Sequence, residues 1–334
     1  MATMSTLILT PDDSGAGCLA ASGIADRVIG FSYRLVTGPV PAVSEPEAFF
    51  AERARLGGAA IQRWDTDGPD RLCDEWRDMI RVMSDFDRVE IWADHDPNSQ
   101  LQLVQLLDWL RAYPSLIPKL SLRSPDFLIR SQIPESVSAL RLRAENISDI
   151  QLQTARVALQ AFQHPSPEAW FALLREDLQA LPHLRPTVDQ LLEELPATDT
   201  ALTAAETRLL EIISTGPIAP MRAIAEYCRD NPVSVLDYWE VGTRLHGLAH
   251  CETPAIVGLD EDGPFNLALH DDCERFERYK GSRLSLSELG RTLLKRQADF
   301  AQHCTIDRWW GGTRLTNDRL WRWDNANRAL VPSV

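Results

Sequence analysis

Arg88-Val-Glu-Ile-Trp-Ala-Asp-His-Asp-Pro-Asn-Ser-Gln100 is the stretch whose reading decides the fold. A short apolar strand, Arg88 to Trp92, runs straight into Asp94, His95 and Asp96, and the apolar run from Ser99 to Leu110 then reads as a helix. A strand's carboxyl end followed by a helix amino end brings side chains, free backbone N–H groups and the helix dipole to one small volume. Ligands of open α/β sheets collect at such places. Toward the amino terminus, Thr6 to Thr10 reads as a buried strand, followed by the glycine loop Asp13-Ser-Gly-Ala-Gly17 and a small-residue helix from Cys18 to Ser22. Val28 to Tyr33 reads as a second strand leading into the turn Thr37-Gly-Pro39. Helical spacing covers Glu45 to Leu56 and Pro69 to Met83, and Lys119 to Arg123 reads as a further strand. The alternation predicts an α/β ligand-binding domain with a small, mostly parallel sheet over residues 1–125.

Beyond Ser131 the periodicity turns helical, with segments at Ile147 to Phe162, Pro167 to Ala180 and Thr187 to Leu195 forming a helical layer over residues 126–200. Thr203-Ala-Ala-Glu206 and Ser285-Leu-Ser-Glu288 both read as capping boxes. Between them lie helices at Met221 to Arg229 and Val235 to His250, then a hairpin through Pro254 to Leu269 turning at Asp260-Glu-Asp-Gly263. These elements predict a winged-helix-like α+β domain over residues 201–334. A second hairpin closes it, in which Gly311-Gly312 is followed by Arg314-Leu-Thr and Leu320-Trp-Arg-Trp, with Trp321 and Trp323 packed as a clamp.

With 334 residues, 44% of them hydrophobic, the chain can bury a sizeable core in two or three domains. Its longest apolar runs fall far short of a membrane span, and Met1 to Thr10 lacks a basic leader and a cleavage pattern, so the expectation is a cytoplasmic protein with no membrane partner. A formal charge of −14 argues against general affinity for nucleic acid, because non-specific binding rests on neutralising phosphates. The Val235 to His250 helix carries Asp237 and Glu240 but one arginine, which suits a protein partner better than DNA. Lysine occurs only at Lys119, Lys280 and Lys295, so carboxylate or phosphate recognition would fall to arginine's planar fork. Six cysteines without a CxxC pair suit reduced thiols better than a disulfide frame.

Two segments carry the candidate chemistry. In the first, Gly15 and Gly17 would let the backbone approach an anion, with Asp13 at the rim, although Asp12 and Asp13 repel one. A tight turn with Ser14 as N-cap is the simpler reading. In the second, His95 beside Asp96 has the composition of a general acid or base, with Asp94 and Gln100 completing a ligand-binding set. Ser14, His95 and Asp96 form a chemically sensible catalytic order, but sequence neighbours on an extended turn point apart. The same carboxylates with His95 could ligate a metal, or Asp96 could simply cap the following helix. Elsewhere, His246-x-x-x-His250-Cys251 with His270 and Cys273 is a weaker zinc pattern. Trp309-Trp310 and Trp321-Arg-Trp323, with Arg308, Arg314, Arg319 and Arg322, would suit stacking on a planar phosphorylated ligand as well as packing. The sequence names no cofactor.

Asp13-Ser14-x-Ala-Gly17, Leu35-x-x-Gly38-Pro39, Trp92-x-x-His95-Asp96-x-x-x-Gln100-Leu-Gln-Leu103, Ala161-Phe162-x-x-Pro165-x-Pro167, Leu202-Thr-x-x-Glu206, Asp307-Arg-Trp-x-Gly311-Gly312 and Trp321-Arg-Trp-Asp324 together resemble a bacterial family, domain of unknown function 1835, with the helical carboxyl-terminal half that accompanies it. The resemblance covers nearly the whole chain and implies neither a reaction nor a ligand. The chain departs from the family pattern at Asp12, where a glycine is usual, at Tyr33-Arg34 in place of an acidic pair, and at Ser99 in place of an acidic residue. Asp-Ser after a first strand also resembles the SGNH hydrolases, but their late Asp-x-x-His is missing and Asp299 and His303 have the wrong spacing. The expected function is binding of a small polar, anionic or nucleotide-like ligand at the sheet edge, with metal-assisted chemistry left open. A hydrolase using Ser14 and His95, and a regulatory protein–protein interaction module, are the alternatives.

Overall fold

A computed structural model describes residues 4–57, 68–140 and 142–332; Met1 to Thr3, part of the amino-terminal stretch read above, lie outside them. The chain forms two compact units, residues 1–189 with Gly311–Thr313, and residues 190–310 with 314–334. The helical segment that follows residue 125 thus belongs with the sheet as far as Asp189.

The first unit contains β1 (Thr6–Thr10), α1 (Asp13–Ala21), β2 (Arg27–Gly30), α2 (Pro46–Gly57), α3 (Gly68–Asp85), β3 (Arg88–Trp92), α4 (Pro97–Leu110), β4 (Leu120–Arg123), α5 (Pro134–Ala139), β5 (Glu145–Asn146), α6 (Asp149–Phe162) and α7 (Glu168–Ala172). Through α8 (Leu184–Glu193) the chain passes to the second. The sheet order is β2-β1-β3-β4-β5, with the first four strands parallel and β5 antiparallel to β4. Strand order therefore reverses between β1 and β3, which pair with Leu7 opposite Val89 and Leu9 opposite Ile91. On one face, Ile8 and Trp92 pack with Leu19 of α1, Ile129 and Val137. Glu90, buried within β3, is held by Arg123 through bonds of 2.6 and 3.2 Å and accepts from Trp92 Nε1 at 3.2 Å. Burial pushes its carboxyl up, but the Arg123 guanidinium outweighs that and leaves it below its ordinary value.

Helix α4 is buried along its whole length except at Asp108, so its polar side chains need partners inside the protein. Asn98 Oδ1 accepts from Leu35 N at 2.7 Å, Asn98 Nδ2 donates to Tyr33 O at 3.0 Å, and Gln102 donates to the same carbonyl. These bonds take the chain out of the sheet, which is why β2 ends at Gly30 rather than at Tyr33. The expected helix Pro167 to Ala180 also stops early, at Ala172, with one 3₁₀ turn to Arg175. Its open carbonyls at Leu174 and Glu176 are satisfied by Arg185 at 2.8 and 2.7 Å.

The second unit contains α9 (Ala204–Ser214), α10 (Pro220–Asp230), α11 (Tyr238–His250), β6 (Ile256–Val257), α12 (Leu267–Asp271), α13 (Cys273–Gly281), β7 (Ser285–Leu286), α14 (Glu288–Leu294), β8 (Asp307–Trp310), β9 (Thr313–Thr316, of which Thr313 counts with the first unit), β10 (Arg322–Asp324) and β11 (Ala329–Val331). The Thr203–Glu206 capping box is formed, with bonds of 3.2 and 2.9 Å. The second expected box is corrected: Ser285 lies in β7, and Ser287 caps α14 by accepting from Gly290 N at 3.0 Å. The hairpin from Pro254 to Leu269 is also corrected. Ile256–Val257 pairs instead with Ser285–Leu286, because Asn266 caps a helix at Leu267 where the return strand was expected.

The carboxyl-terminal tryptophans lie in two hairpins rather than one. β8 joins β9 through Gly311-Gly312, and Arg322–Asp324 pairs with Ala329–Val331. Cys251 and Cys304 are joined by a disulfide, against the expectation of six reduced thiols; the fold brings together positions 53 apart that no spacing motif marks. Cys18, Cys73, Cys228 and Cys273 remain thiols.

Trp323 is 1% exposed, and its backbone bonds to Pro196 O at 2.8 Å and Thr198 N at 3.1 Å, whereas Trp321 is only half-buried. The two rings are thus not equivalent halves of a clamp. Trp323→Ala should cost about 3–5 kcal/mol in urea denaturation, and Trp321→Ala less than about half of that.

This unit also buries charge. Arg308 Nη1 lies 2.6 Å from Glu206 Oε1, and Glu194 accepts from Ala205 N at 3.1 Å through one oxygen while its Oε2 is buried without a hydrogen-bond partner. Burial pushes the Glu194 carboxyl up to about 7, with the Arg244 cation opposing and the Glu206 carboxylate adding to the rise. The folded state therefore holds a proton that the unfolded chain releases near pH 4.3, and this contribution to stability is lost as pH rises from there through about 7. Glu194→Gln should gain stability relative to the parent as pH rises over that window and level off above it, as read by urea denaturation at pH 5, 6, 7 and 8.

Candidate functional site

The site is built at the carboxyl ends of β1 and β3, where strand order reverses. After β1 the chain enters α1 at once. Asp12 is the N-cap, its Oδ1 accepting from Ser14 N at 2.7 Å and Gly15 N at 3.2 Å. The glycine loop Asp13 to Gly17 is therefore corrected: these residues are the first turns of the helix, and Asp12 rather than Ser14 caps it. Ser14 is exposed and bonds to Asp12 only through its backbone N–H. A Cβ on Gly15 would press on Ile129 Cγ2 at 3.3 Å, while one on Gly17 would meet nothing within 4 Å. Asp13, also exposed, fits against Gly30, whose missing Cβ would lie 2.7 Å from Asp13 Oδ1.

After β3 the same arrangement recurs. Asp96 is the N-cap of α4, followed by Pro97, and its Oδ1 accepts from Asn98 N at 2.9 Å and Ser99 N at 3.3 Å. Its Oδ2 lies 3.0 Å from Arg130 Nη1, which is also 3.8 Å from Asp12 Oδ2. Arg130, from the segment after β4, thus draws the two strand-end motifs to one point. Asp94 is buried beneath them, accepting from Asp96 N at 3.2 Å and Ile129 N at 2.9 Å, and its carbonyl accepts from Gln100 Nε2 at 2.6 Å. Burial pushes the Asp94 carboxyl up, with the Ile129 N–H opposing.

His95 stands half-buried beside this cluster with Nδ1 buried and unpartnered. Its ring lies 5.8 Å from that of His183, whose Nε2 accepts or donates no hydrogen bond and is 3.7 Å from Asp126 Oδ1. No hydrogen bond links Ser14, His95 and Asp96 to one another, because the Asp96 carboxylate is taken by two backbone N–H groups and Arg130. Gln100 and Asp94 serve as internal supports, and Asp13, Ser14 and Gly17 lie along α1.

Sequence reasoning missed Asp12 as cap, Arg130 and His183. Asp12 was legible as an acceptor two residues before Ser14, but nothing in the spacing marks Arg130 or His183.

Both helix amino ends are closed by their own aspartates, so the N–H groups of Ser14, Gly15, Asn98 and Ser99 that would cradle a phosphate are occupied. Arg130 stands among the carboxylates of Asp12, Asp94 and Asp96, and Asp13 is exposed in the first turn of α1. Among the described residues no group of three or more His, Cys, Asp or Glu is placed to hold a metal ion. In the weaker zinc pattern, His246 and His250 have rings 4.3 Å apart, but His250 meets Glu261 O at 3.0 Å, His270 meets Tyr238 Oη at 3.2 Å, and Cys251 is in the disulfide. Three of the arginines near the carboxyl-terminal tryptophans are paired, Arg308 with Glu206, Arg314 with Asp307 and Arg322 with Asp299.

No family model matches the chain, and no curated protein matches it. Among solved structures, the Plasmodium falciparum topoisomerase II DNA-binding, cleavage and re-ligation domain is similar over 85% of this chain and 47% of that one, with 11% identity and a TM-score of 0.44. The chain spans about half the length of that structure, and a likeness of this degree assigns neither ligand nor reaction.

The glycines of α1 provide a direct check on the site's construction. Gly17→Ala should stabilise the protein by about 0.5–1 kcal/mol in urea denaturation, since an open helical position gains from a residue of higher propensity. Gly15→Ala should show no such gain, because Ile129 must give way.

Proposed function

We propose that the first unit binds a small polar ligand at the carboxyl edge of β1 and β3. The observation that supports this reading is Arg130 bridging the carboxylates of Asp12 and Asp96 at the strand-order reversal, with His95 Nδ1 and His183 Nε2 nearby, neither of them in a hydrogen bond. Four carboxylates and two self-capped helix ends favour a neutral or cationic ligand over a phosphate. Such a ligand would be held through its hydrogen-bonding groups by His95 and His183, so a nucleoside suits the site better than a nucleotide. The hydrolase alternative has less support, since it needs Ser14 within hydrogen-bond reach of His95. We also propose membership of the domain of unknown function 1835 family, on the motifs quoted above.

For the second unit we infer a winged-helix-like module that docks on protein. Its support is the order α9, the Ile218–Leu284 bridge, α10, α11, and the β6–β7 pair, with α12 and α13 inserted in the wing. Asp237 and Glu240 close the amino end of α11, where a DNA-reading helix presents donors to phosphates and bases.

The test is thermal denaturation of the full chain with a panel of nucleosides, nucleotides, amino acids and polyamines, together with retention of duplex DNA at physiological salt. A neutral or cationic member should raise Tm, and His95→Ala, melting close to the parent, should no longer respond. Equal stabilisation of His95→Ala, or selective stabilisation by phosphates, would sink the ligand reading; tight sequence-dependent DNA retention would sink the docking one.

A further inference from the structure

A second place in the first unit has the form of a binding site and does not depend on the carboxyl-edge reading. Between α3 and the edge strand β2 lies a cavity of about 210 Å³. Arg27, Ile29 and Phe31 line it from one face of the β2 segment, and Phe50 of α2 with Trp76 and Met79 of α3 line it opposite. A cavity of roughly 150 Å³ admits benzene, so this one holds a single aromatic ring and one small substituent.

Its walls are set in advance. Trp76 and Phe50 both stand edge-on to Trp109, with centroids 5.0 and 5.7 Å away, and Phe50 is edge-on to Tyr33 at 5.4 Å. Rings fixed in this way present an apolar, aromatic slot without side-chain ordering on binding.

The charge at the rim selects the substituent. Of the ionised residues lining the cavity, Glu75 is paired with Arg71 at 2.8 Å and Asp78 with Arg81 at 3.0 Å. Arg27 is exposed and makes neither an ion pair nor a side-chain hydrogen bond among the described residues. The uncompensated charge is a guanidinium, whose planar fork matches a carboxylate. We propose that this cavity binds a monocyclic aromatic carboxylate, its ring between Phe50, Trp76 and Met79 and its carboxylate on Arg27.

Benzoate, benzyl alcohol and benzylamine are the probes, applied to the full chain by saturation-transfer NMR and titration calorimetry. Benzoate should bind in the millimolar range or more tightly, ahead of the other two. Arg27→Gln should weaken benzoate by about tenfold and leave benzyl alcohol unchanged. Met79→Trp, which fills the slot, should abolish binding of all three, with circular dichroism confirming the fold; Arg27→Gln carries the test by itself if that variant does not fold. His95→Ala should bind benzoate as the parent does, which separates this site from the carboxyl-edge one. Failure of the parent to bind benzoate at 10 mM (about 2.7 kcal/mol at the standard state), a preference for benzylamine, or indifference of benzoate to Arg27→Gln would each overturn the proposal.

Discussion

Helix α4 has to be buried on nearly every side, and the first unit is arranged around that requirement. Such a helix cannot send its polar side chains to water, so most of them meet groups that other segments leave open, while Gln102 Oε1, Gln105 Nε2 and Trp109 Nε1 stay without a hydrogen-bond partner. Asn98 and Gln102 therefore become anchors for the backbone between Tyr33 and Val36, and Gln100 turns back on the Asp94 carbonyl. The end of β2, the course of the chain beyond it and the position of the β3 turn all follow from satisfying this one helix.

At the helix's amino end the same logic decides what the sheet edge can do. Asp12 and Asp96 each spend one oxygen on the helix that follows, and Arg130 stands between the oxygens that remain. Aspartate caps leave an acidic rim where glycine-rich turns would leave open N–H groups. At this edge Thr10 Oγ1, His95 Nδ1 and His183 Nε2 are buried and make no hydrogen bond.

The second unit handles buried polarity differently. Glu206 serves as capping-box partner to Thr203 and ion-pair partner to Arg308, so one carboxylate fixes both a helix start and the strand β8. Glycine has a comparable role at the hairpin turn that counts with the first unit. A side chain on Gly312 would collide with the Gln163 and His164 carbonyls, and Gly311 has φ +56°. Ala161-Phe162 and Gly311-Gly312, which enter the family resemblance as separate motifs, are in fact two sides of one contact, with Gly312 N donating to Phe162 O at 2.8 Å.

Local rules were enough for much of the molecule. Arg88 to Trp92 is a strand because β-branched and apolar residues fill it, the Thr203 box forms because its two partners are three residues apart, and parallel β1 and β3 follow from strand–helix alternation. Periodicity reports only which face of an element is apolar, so it could not show that Ile256 pairs with Leu286 across two helices, that Cys251 meets Cys304, or that Trp323 is buried while Trp321 is not. The site divides along the same line. The aspartates and His95 stand out because they follow a strand and precede a helix, whereas Arg130 and His183 reach them only through folding. Which residue meets a buried carboxylate is set by long-range packing, and that was decided by the tertiary structure alone.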